Sequence, residues 1–144
     1  MSLMTAMEVG ASGLTAQRRR IEVLMSNLVN ANTSAPAGTE PYRRKDVIFT
    51  STPLQQTFGG TLDQAMGAVQ GVEISGVVED KSEPERRYEP GNPNADKDGN
   101  VWYPNINPME EMVNMLTATR SYEANLQAVN TTKDMALKTL DIIR

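Results

Sequence analysis

Two aspartates and a glycine near the middle of the chain have the spacing of a calcium-binding loop. In NADKDGNVWYPN, residues 94–105, Asp96, Asp98 and Gly99 stand at positions three, five and six when Asn94 is position one. An EF-hand loop has its invariant glycine at position six and a bidentate carboxylate at position twelve. Position twelve is Asn105, which carries no carboxylate. The segment therefore lacks the ligand that closes such a site.

A turn explains the same residues better than a metal site does. Pro90 and Pro93 lie where the entering helix of an EF-hand would run, and proline breaks a helix interior. The dipeptide Asp98–Gly99 is typical of a tight β-hairpin turn. We therefore predict a hairpin turn here, and keep a calcium-dependent adaptor using residues 94–105 as the alternative. The two aspartates make a poor catalytic pair because nothing nearby would tune the pKa of one of them.

The composition excludes several other kinds of chemistry. The 144 residues contain no cysteine and no histidine, which removes the usual zinc sites, thiol chemistry and imidazole-based triads. No phosphate-binding motif of the Walker or dinucleotide type occurs. The net charge of −4 argues against a nucleic-acid partner, because phosphates are neutralised by basic surfaces. The sequence therefore offers no candidate for any of these sites.

The distribution of charge and apolar residues also bears on membranes and targeting. No run of eighteen apolar residues occurs, so we expect no direct membrane insertion. A cleavable signal peptide places basic residues before an apolar block, whereas the first basic side chains here are Arg18–Arg20, well inside the chain. We therefore expect no cleavable signal peptide.

The N-terminal segment has the period of a long amphipathic helix, predicted over residues 3–32. Two interleaved rows repeat every seven residues, as in a coiled-coil seam. The first row is Met7, Leu14, Ile21 and Leu28, and the companion row is Leu3, Gly10, Gln17, Leu24 and Ala31. Polar residues and Pro36 then end the helix.

The C-terminal segment carries the signals of a second helix. Asn107 suits the N-cap, Pro108 the first helical position, and Glu110 the capping box. No glycine or proline follows as far as Arg144. One row is Met115, Tyr122, Val129, Ala136 and Ile143, and its companion row is Met112, Thr119, Leu126, Lys133 and Leu140. Polar seam positions weaken packing but help to fix register and partner choice.

The middle of the chain has a different composition. Seven of the eight prolines lie there. Residues 42–50 and 72–80 are rich in β-branched residues and predict strands, and ERRYEP and NVWYP are candidates for two more. This pattern indicates a small, irregular β-rich region rather than a doubly wound sheet.

Together these segments predict an α+β fold that forms one structural unit. Its parts are an N-terminal helix at 1–33, a β-rich insert at 34–106 and a C-terminal helix at 107–144. We expect the helices to form an antiparallel, coiled-coil-like hairpin. Since one weakly apolar face each makes a thin core, we expect neighbouring subunits to complete the packing. The predicted packing residues are Met7, Leu14, Ile21, Leu24, Leu28, Met112, Met115, Tyr122, Leu126, Val129, Leu140 and Ile143.

Four stretches of the sequence resemble the bacterial flagellar rod and hook proteins. SGLTAQRRRIEVLMSNLVNANT (12–33) and EMVNMLTATRSYEANLQAVNTTKDMALKTL (111–140) resemble the N- and C-terminal signatures of this axial family. YRRKDVIF (42–49) and YEPGNPNADKDGNVWYPNINPMEEM (88–112) resemble its proximal-rod members, and the likeness covers nearly the whole chain.

The resemblance implies a structural subunit of the proximal rod, the drive shaft that transmits torque through the periplasm. It also implies no enzyme activity, no catalytic residue, no cofactor and no metal. The subunit's implied partners are copies of itself, other proximal and distal rod proteins, the membrane-ring adaptor and the flagellar export apparatus. It also implies export without a cleaved signal and location in the periplasmic part of the basal body. A soluble helical binding module, calcium-dependent or not, is the alternative.

Overall fold

The computed structural model describes residues 3–53 and 69–142. Within them lie helix α1 (Leu3–Asn30), strands β1 (Lys45–Pro53), β2 (Gln70–Glu79), β3 (Glu85–Tyr88) and β4 (Asn100–Tyr103), and helix α2 (Pro108–Ile142). The predicted α+β class is confirmed: along the sequence, one helix precedes the β region and the other follows it. Ile143, one of the predicted packing residues, lies outside the described residues, as does most of the sequence between β1 and β2.

Helix α1 ends close to the predicted position. The side-chain amide of Asn30 donates a hydrogen bond to the carbonyl of Ser26, one turn earlier, at 2.8 Å. This bond satisfies a backbone carbonyl near the end of the helix. The backbone then turns, with N–H bonds from Ala31 to Leu28 and from Thr33 to Asn30. The helix is thus two residues shorter than the prediction of 3–32.

Helix α2 begins where the capping signals placed it. The side-chain oxygen of Asn107 accepts the Met109 N–H at 3.1 Å, and its carbonyl accepts the Glu111 N–H at 3.1 Å. Glu110 and Glu111 lie in the first turn, where carboxylates favour the positive end of the helix dipole. Asn107 therefore is the N-cap, and Pro108 opens the helix.

The strands form two small antiparallel sheets of two strands each, β1 with β2 and β3 with β4. In the second sheet Glu85 pairs with Tyr103 and Tyr88 with Asn100. Ala35 makes a single antiparallel bridge with Trp102, so the segment after α1 lies along the free side of β4. All four predicted strands are confirmed.

The connection between β3 and β4 is longer than predicted. A turn does occur at Asp98–Gly99, where Gly99 adopts φ +77° and its N–H bonds to the carbonyl of Asp96 at 3.0 Å. The prediction that this dipeptide closes a tight hairpin is wrong, because residues 89–99 separate the two strands. Pro90 and Pro93 explain the difference, since proline has no N–H to continue the ladder.

The chain divides into two compact units, and both helices contribute to each. Within the described residues, the first unit takes 3–19, 48–53, 69–76 and 118–142, and the second takes 20–47 and 77–117. Most of the buried side chains of the described residues belong to the second unit. They include Leu24, Asn27, Val101, Tyr103, Ile106 and Glu111. The β3–β4 sheet and the adjoining ends of the two helices thus share one core.

Candidate assembly surface

Helices α1 and α2 approach each other closely in the first unit. A Cβ added to Gly10 would lie 2.5 Å from Cγ2 of Val129, closer than van der Waals contact permits. A Cβ added to Gly13 would lie 2.9 Å from the amide nitrogen of Asn125. The absence of a side chain at these glycines is therefore what lets Val129 and Asn125 reach the α1 backbone.

The predicted packing residues differ in their exposure within the single chain. Leu24 is buried and packs inside the second unit. Partly buried are Met7, Leu14, Ile21, Leu28, Met115, Tyr122 and Val129. Exposed are Met112, Leu126 and Leu140. Of these residues Val129 is the one that meets Gly10 on the other helix. Their role in packing between subunits stays a prediction.

On α2, the rows that flank the Met115–Tyr122–Val129 row are unequally buried. The more buried row consists of the residues that directly precede the predicted companion positions. In this row Glu111 and Ala118 are almost fully buried, and Asn125 and Thr132 are partly buried. The predicted companions Met112, Leu126 and Leu140 lie on the exposed side. One flank of the helix thus serves the chain's own core, and the other leaves apolar side chains accessible.

Each helix also presents an exposed apolar stripe within the second unit. On α1 the stripe is formed by Met25 and Val29, one turn apart. On α2 it is formed by Met109, Met112, Val113 and Leu116. Apolar residues recurring at spacings of three and four mark a helix face suited to a partner helix. Methionines at such a face adapt to imperfect contacts.

A buried polar cluster, which the sequence analysis did not predict, joins the two helices to β1. Its centre is Asn27, which is 0% exposed. The Asn27 amide donates to the carbonyl of Lys45 at 2.8 Å and to Glu111 Oε2 at 2.9 Å. Its oxygen accepts the Lys45 N–H and the Tyr42 hydroxyl, both at 3.0 Å. Asn27 therefore pairs with both backbone groups of Lys45, as a neighbouring strand would.

Glu111 is the second buried member of the polar cluster, at 1% exposure. Its Oε1 accepts a hydrogen bond from Nε of Arg44 at 2.7 Å, and Arg44 also lies 3.6 Å from Asp46. Partial burial of Arg44 disfavours its charge, but the hydrogen bond and charge of Glu111 outweigh this and raise the pKa of Arg44 above its usual value. The buried carboxylate thus has a charged partner and a neutral one.

The sequence held one weak signal for this cluster. Asn27 lies three residues after Leu24 and four before Ala31, both buried, so it shares their helix face. A polar residue on an apolar face needs a partner, but nothing local identifies that partner. Glu111 is 84 residues away, and Lys45 is 18.

In the candidate calcium loop, the Asp96 carboxylate takes part in the turn. Asp96 Oδ1 accepts the N–H groups of Asp98 and Asn100, each at 2.9 Å, and the Asp96 N–H donates to the carbonyl of Asn100 at 2.9 Å. In the part of the chain that the structure describes, no group of three acidic, histidine or cysteine side chains is placed to hold a metal ion. The geometry is that of an Asx turn.

The terminal helices have counterparts in known protein families. A family model described as "Flagella basal body rod protein" matches residues 7–35, and one described as "Flagellar basal body rod FlgEFG protein C-terminal" matches residues 97–142. The two long helices and the matched segments define a structural protein of the flagellar rod class. Neither described helix is long and apolar enough to cross a membrane.

Relatives named "Flagellar basal-body rod protein FlgC" are similar over the full chain. Those of Salmonella typhimurium strain LT2 and Bacillus subtilis strain 168 are both 40% identical, covering 99% of this chain and 98% and 99% of the relatives. That of Borreliella burgdorferi is 38% identical over 100% of this chain and 99% of its own length. The chain belongs to the FlgC family of flagellar basal-body rod proteins and is a structural rod subunit.

Proposed function

We propose that this rod subunit is a component of the proximal rod, where it carries torque between neighbouring subunits. The observation that supports this most directly is identity of about two residues in five with FlgC proteins along the whole chain. Torque transmission requires interfaces that resist shear, and closely packed side chains do so because they cannot slide without opening voids. Long helices with accessible apolar faces supply such interfaces.

The two helices form the axial part of the subunit as an antiparallel hairpin, in our proposal. Within the first unit, α1 residue 10 meets α2 residue 129, and α1 residue 13 meets residue 125. The numbers rise on one helix as they fall on the other, as antiparallel helices require. Segments 1–33 and 107–144 would then be the axial core, with the insert 34–106 attached to it as part of one structural unit.

Assembly would bury the apolar side chains that the single chain leaves accessible on α2. Met112, Leu126 and Leu140 lie on that side. Full burial of a fully exposed side chain of this kind contributes about 1.5–3 kcal/mol. Because the three are already partly covered in the single chain, each would contribute a part of this when a neighbouring helix covers the rest. The neighbours would be other copies, other proximal and distal rod proteins and the membrane-ring adaptor.

The remaining features of the proposal follow from the family. The subunit would reach the periplasm through the flagellar export apparatus without a cleavable signal, and would act without catalysis, cofactor or metal. The turn geometry of Asp96 supports the last point, because its carboxylate is already hydrogen-bonded to the backbone.

A charge placed on the exposed flank of α2 tests the assembly proposal. Leu126 is 42% exposed in the single chain, so we expect Leu126→Asp to keep the helical fold. In an interface the new carboxylate would be buried without a partner, at a cost of several kcal/mol. We expect the variant to be made in normal amount, but to be missing from purified basal bodies and to abolish swimming in soft agar.

Gln127→Asp is the matched control, because Gln127 is exposed, polar and one residue further along the helix. It should incorporate and support swimming. Circular dichroism of both purified variants checks that helicity is unchanged. Normal incorporation of Leu126→Asp, with swimming equal to that of the control, would show that this flank of α2 is not an interface.

A further inference from the structure

The apolar rows of the two helices do not by themselves determine how the helices align. In the unit formed by residues 20–47 and 77–117, the rows contribute apolar side chains of similar size, Ile21 and Leu28 on α1 and Met112 and Met115 on α2. A shift along the helix axis can therefore replace one apolar contact with another. In coiled coils a single buried polar residue fixes the alignment, because its partner is available in one register only. Asn27 and Glu111 have this character.

Asn27 uses its complete hydrogen-bonding capacity in the observed alignment. A side-chain amide offers two N–H donors and two acceptor lone pairs. The donors bind Lys45 and Glu111, and the acceptor sites bind Lys45 and Tyr42. The side chain is fully buried, so water cannot replace a lost partner without entering the core.

A shift of α1 along α2 by one helical turn would disrupt this arrangement. One turn displaces a side chain by about 5.4 Å, which exceeds the reach of any hydrogen bond in the cluster. The Asn27–Glu111 hydrogen bond would break. If β1 stayed with α2, Asn27 would also lose Tyr42 and Lys45, and if β1 moved with α1, Glu111 would lose Arg44. Buried polar groups left unsatisfied strongly disfavour such a state.

The backbone bridge between Ala35 and Trp102 does not impose the same limit. It joins segments beyond the helices, separated from α1 by four residues and from α2 by five. Four extended residues span roughly 13 Å, so the bridge can persist while the helices shift by a turn.

We infer that Asn27 and Glu111 are positioning residues that set the register of α1 against α2 in the unit formed by residues 20–47 and 77–117. The apolar rows provide attraction between helices, and the polar cluster selects one alignment among those that the rows permit. This inference rests on the geometry of the single chain and is independent of the proposed place in the rod.

Distance measurement between two spin labels tests the inference directly. The chain contains no cysteine, so cysteines introduced at Val29 and Leu116 are the only attachment points. Both positions are exposed, at 72% and 62%, and belong to the same unit. Because Asn27 binds Glu111 on an antiparallel helix, Val29 and Leu116 lie at different levels along the axis, so a shift of one helix changes their separation. The labelled wild-type chain should give one narrow distance distribution by double electron–electron resonance.

The same labels are then placed in the Asn27→Leu, Glu111→Leu double variant. We expect a second distance population between the labels, because in part of the molecules one helix would have moved along the other by one turn, about 5 Å. The conservative Glu111→Gln variant keeps an oxygen that accepts from Asn27, and should retain the single wild-type distance although it loses the ion pair with Arg44. A purely stabilising role would weaken the fold in both variants without adding a distance.

A double variant with wild-type helicity and the single wild-type distance would overturn the inference. If the double variant loses helicity, the Glu111→Leu variant alone is measured, since it keeps three of the four Asn27 hydrogen bonds. A second distance population in that variant supports the register role, and a single wild-type distance refutes it.

Discussion

Substitution of Gly10 by alanine tests the close approach of α1 and α2 at Val129. In an exposed helix, Gly→Ala stabilises by about 1 kcal/mol because glycine loses more backbone entropy on folding. Here the new Cβ would lie 2.5 Å from Cγ2 of Val129, about 1 Å inside ordinary contact. A helical valine strongly prefers one rotamer, so Cγ2 cannot easily turn away and the helices must separate.

The expected net effect follows from two opposing terms. Overpacking of this kind costs about 1–3 kcal/mol. Subtracting the gain of about 1 kcal/mol in helix propensity leaves a loss of up to about 2 kcal/mol in the free energy of unfolding. Val129→Ala removes Cγ2, so in that background Gly10→Ala should stabilise instead. The sign of the Gly10→Ala effect therefore depends on residue 129.

Urea unfolding followed by circular dichroism at 222 nm measures all four members of this double-mutant cycle. Gly13→Ala is a useful comparison, because its Cβ would meet the end of the flexible Asn125 side chain and the loss should be smaller. The reasoning is refuted if Gly10→Ala stabilises the wild-type chain by about 1 kcal/mol, since the helices would then be further apart than the structure has them.

Three further predictions concern the cap, the β region and the turn. Asn107→Ala should lower the free energy of unfolding by about 1 kcal/mol by removing the α2 cap, and Asn107→Ser should restore most of it in the same urea assay. Hydrogen bonds from the Ser82 hydroxyl and N–H hold the pKa of Asp80 below its usual value. The Asp80 carboxylate therefore stabilises the folded chain at pH values above the pKa that Asp80 has in the unfolded chain. This stabilisation is lost as the pH falls through the lower pKa of the folded chain. Ser82→Ala should raise the Asp80 pKa in a carboxyl NMR titration, and an unchanged value would contradict this cause. Calorimetric titration with millimolar calcium should give no saturable heat because Asp96 is occupied by backbone N–H groups, and a stoichiometric site of micromolar affinity would contradict the turn interpretation.

The helices and strands were predictable because their signals are local. Asn107 and Pro108 mark the start of α2 within a few residues, and β-branched runs mark β1 and β2. The length of the β3–β4 connection was harder to predict, because Asp98–Gly99 alone suggests a two-residue turn. The prolines upstream decide the length of the connection by removing ladder donors.

The packing of α2 could not be settled from periodicity. The rows containing Glu111 and Met112 flank the same central row, and apolarity favours the second. The chain nevertheless buries Glu111, because Arg44 and Asn27 satisfy its carboxylate from distant parts of the sequence. That Glu111 rather than Met112 is buried can be recognised only when the positions of Arg44 and Asn27 are known.

The separation in sequence between contacting residues also affects when the chain can fold. Asn27 and Glu111 are 84 residues apart, so α1 is synthesised long before its partners on α2. An isolated helix with little surface to bury is marginal in water. Contacts between residues so far apart in the sequence form slowly, because the long intervening loop must close first. A chain with this topology cannot complete the Asn27–Glu111 cluster until its last third is available to pack against its first.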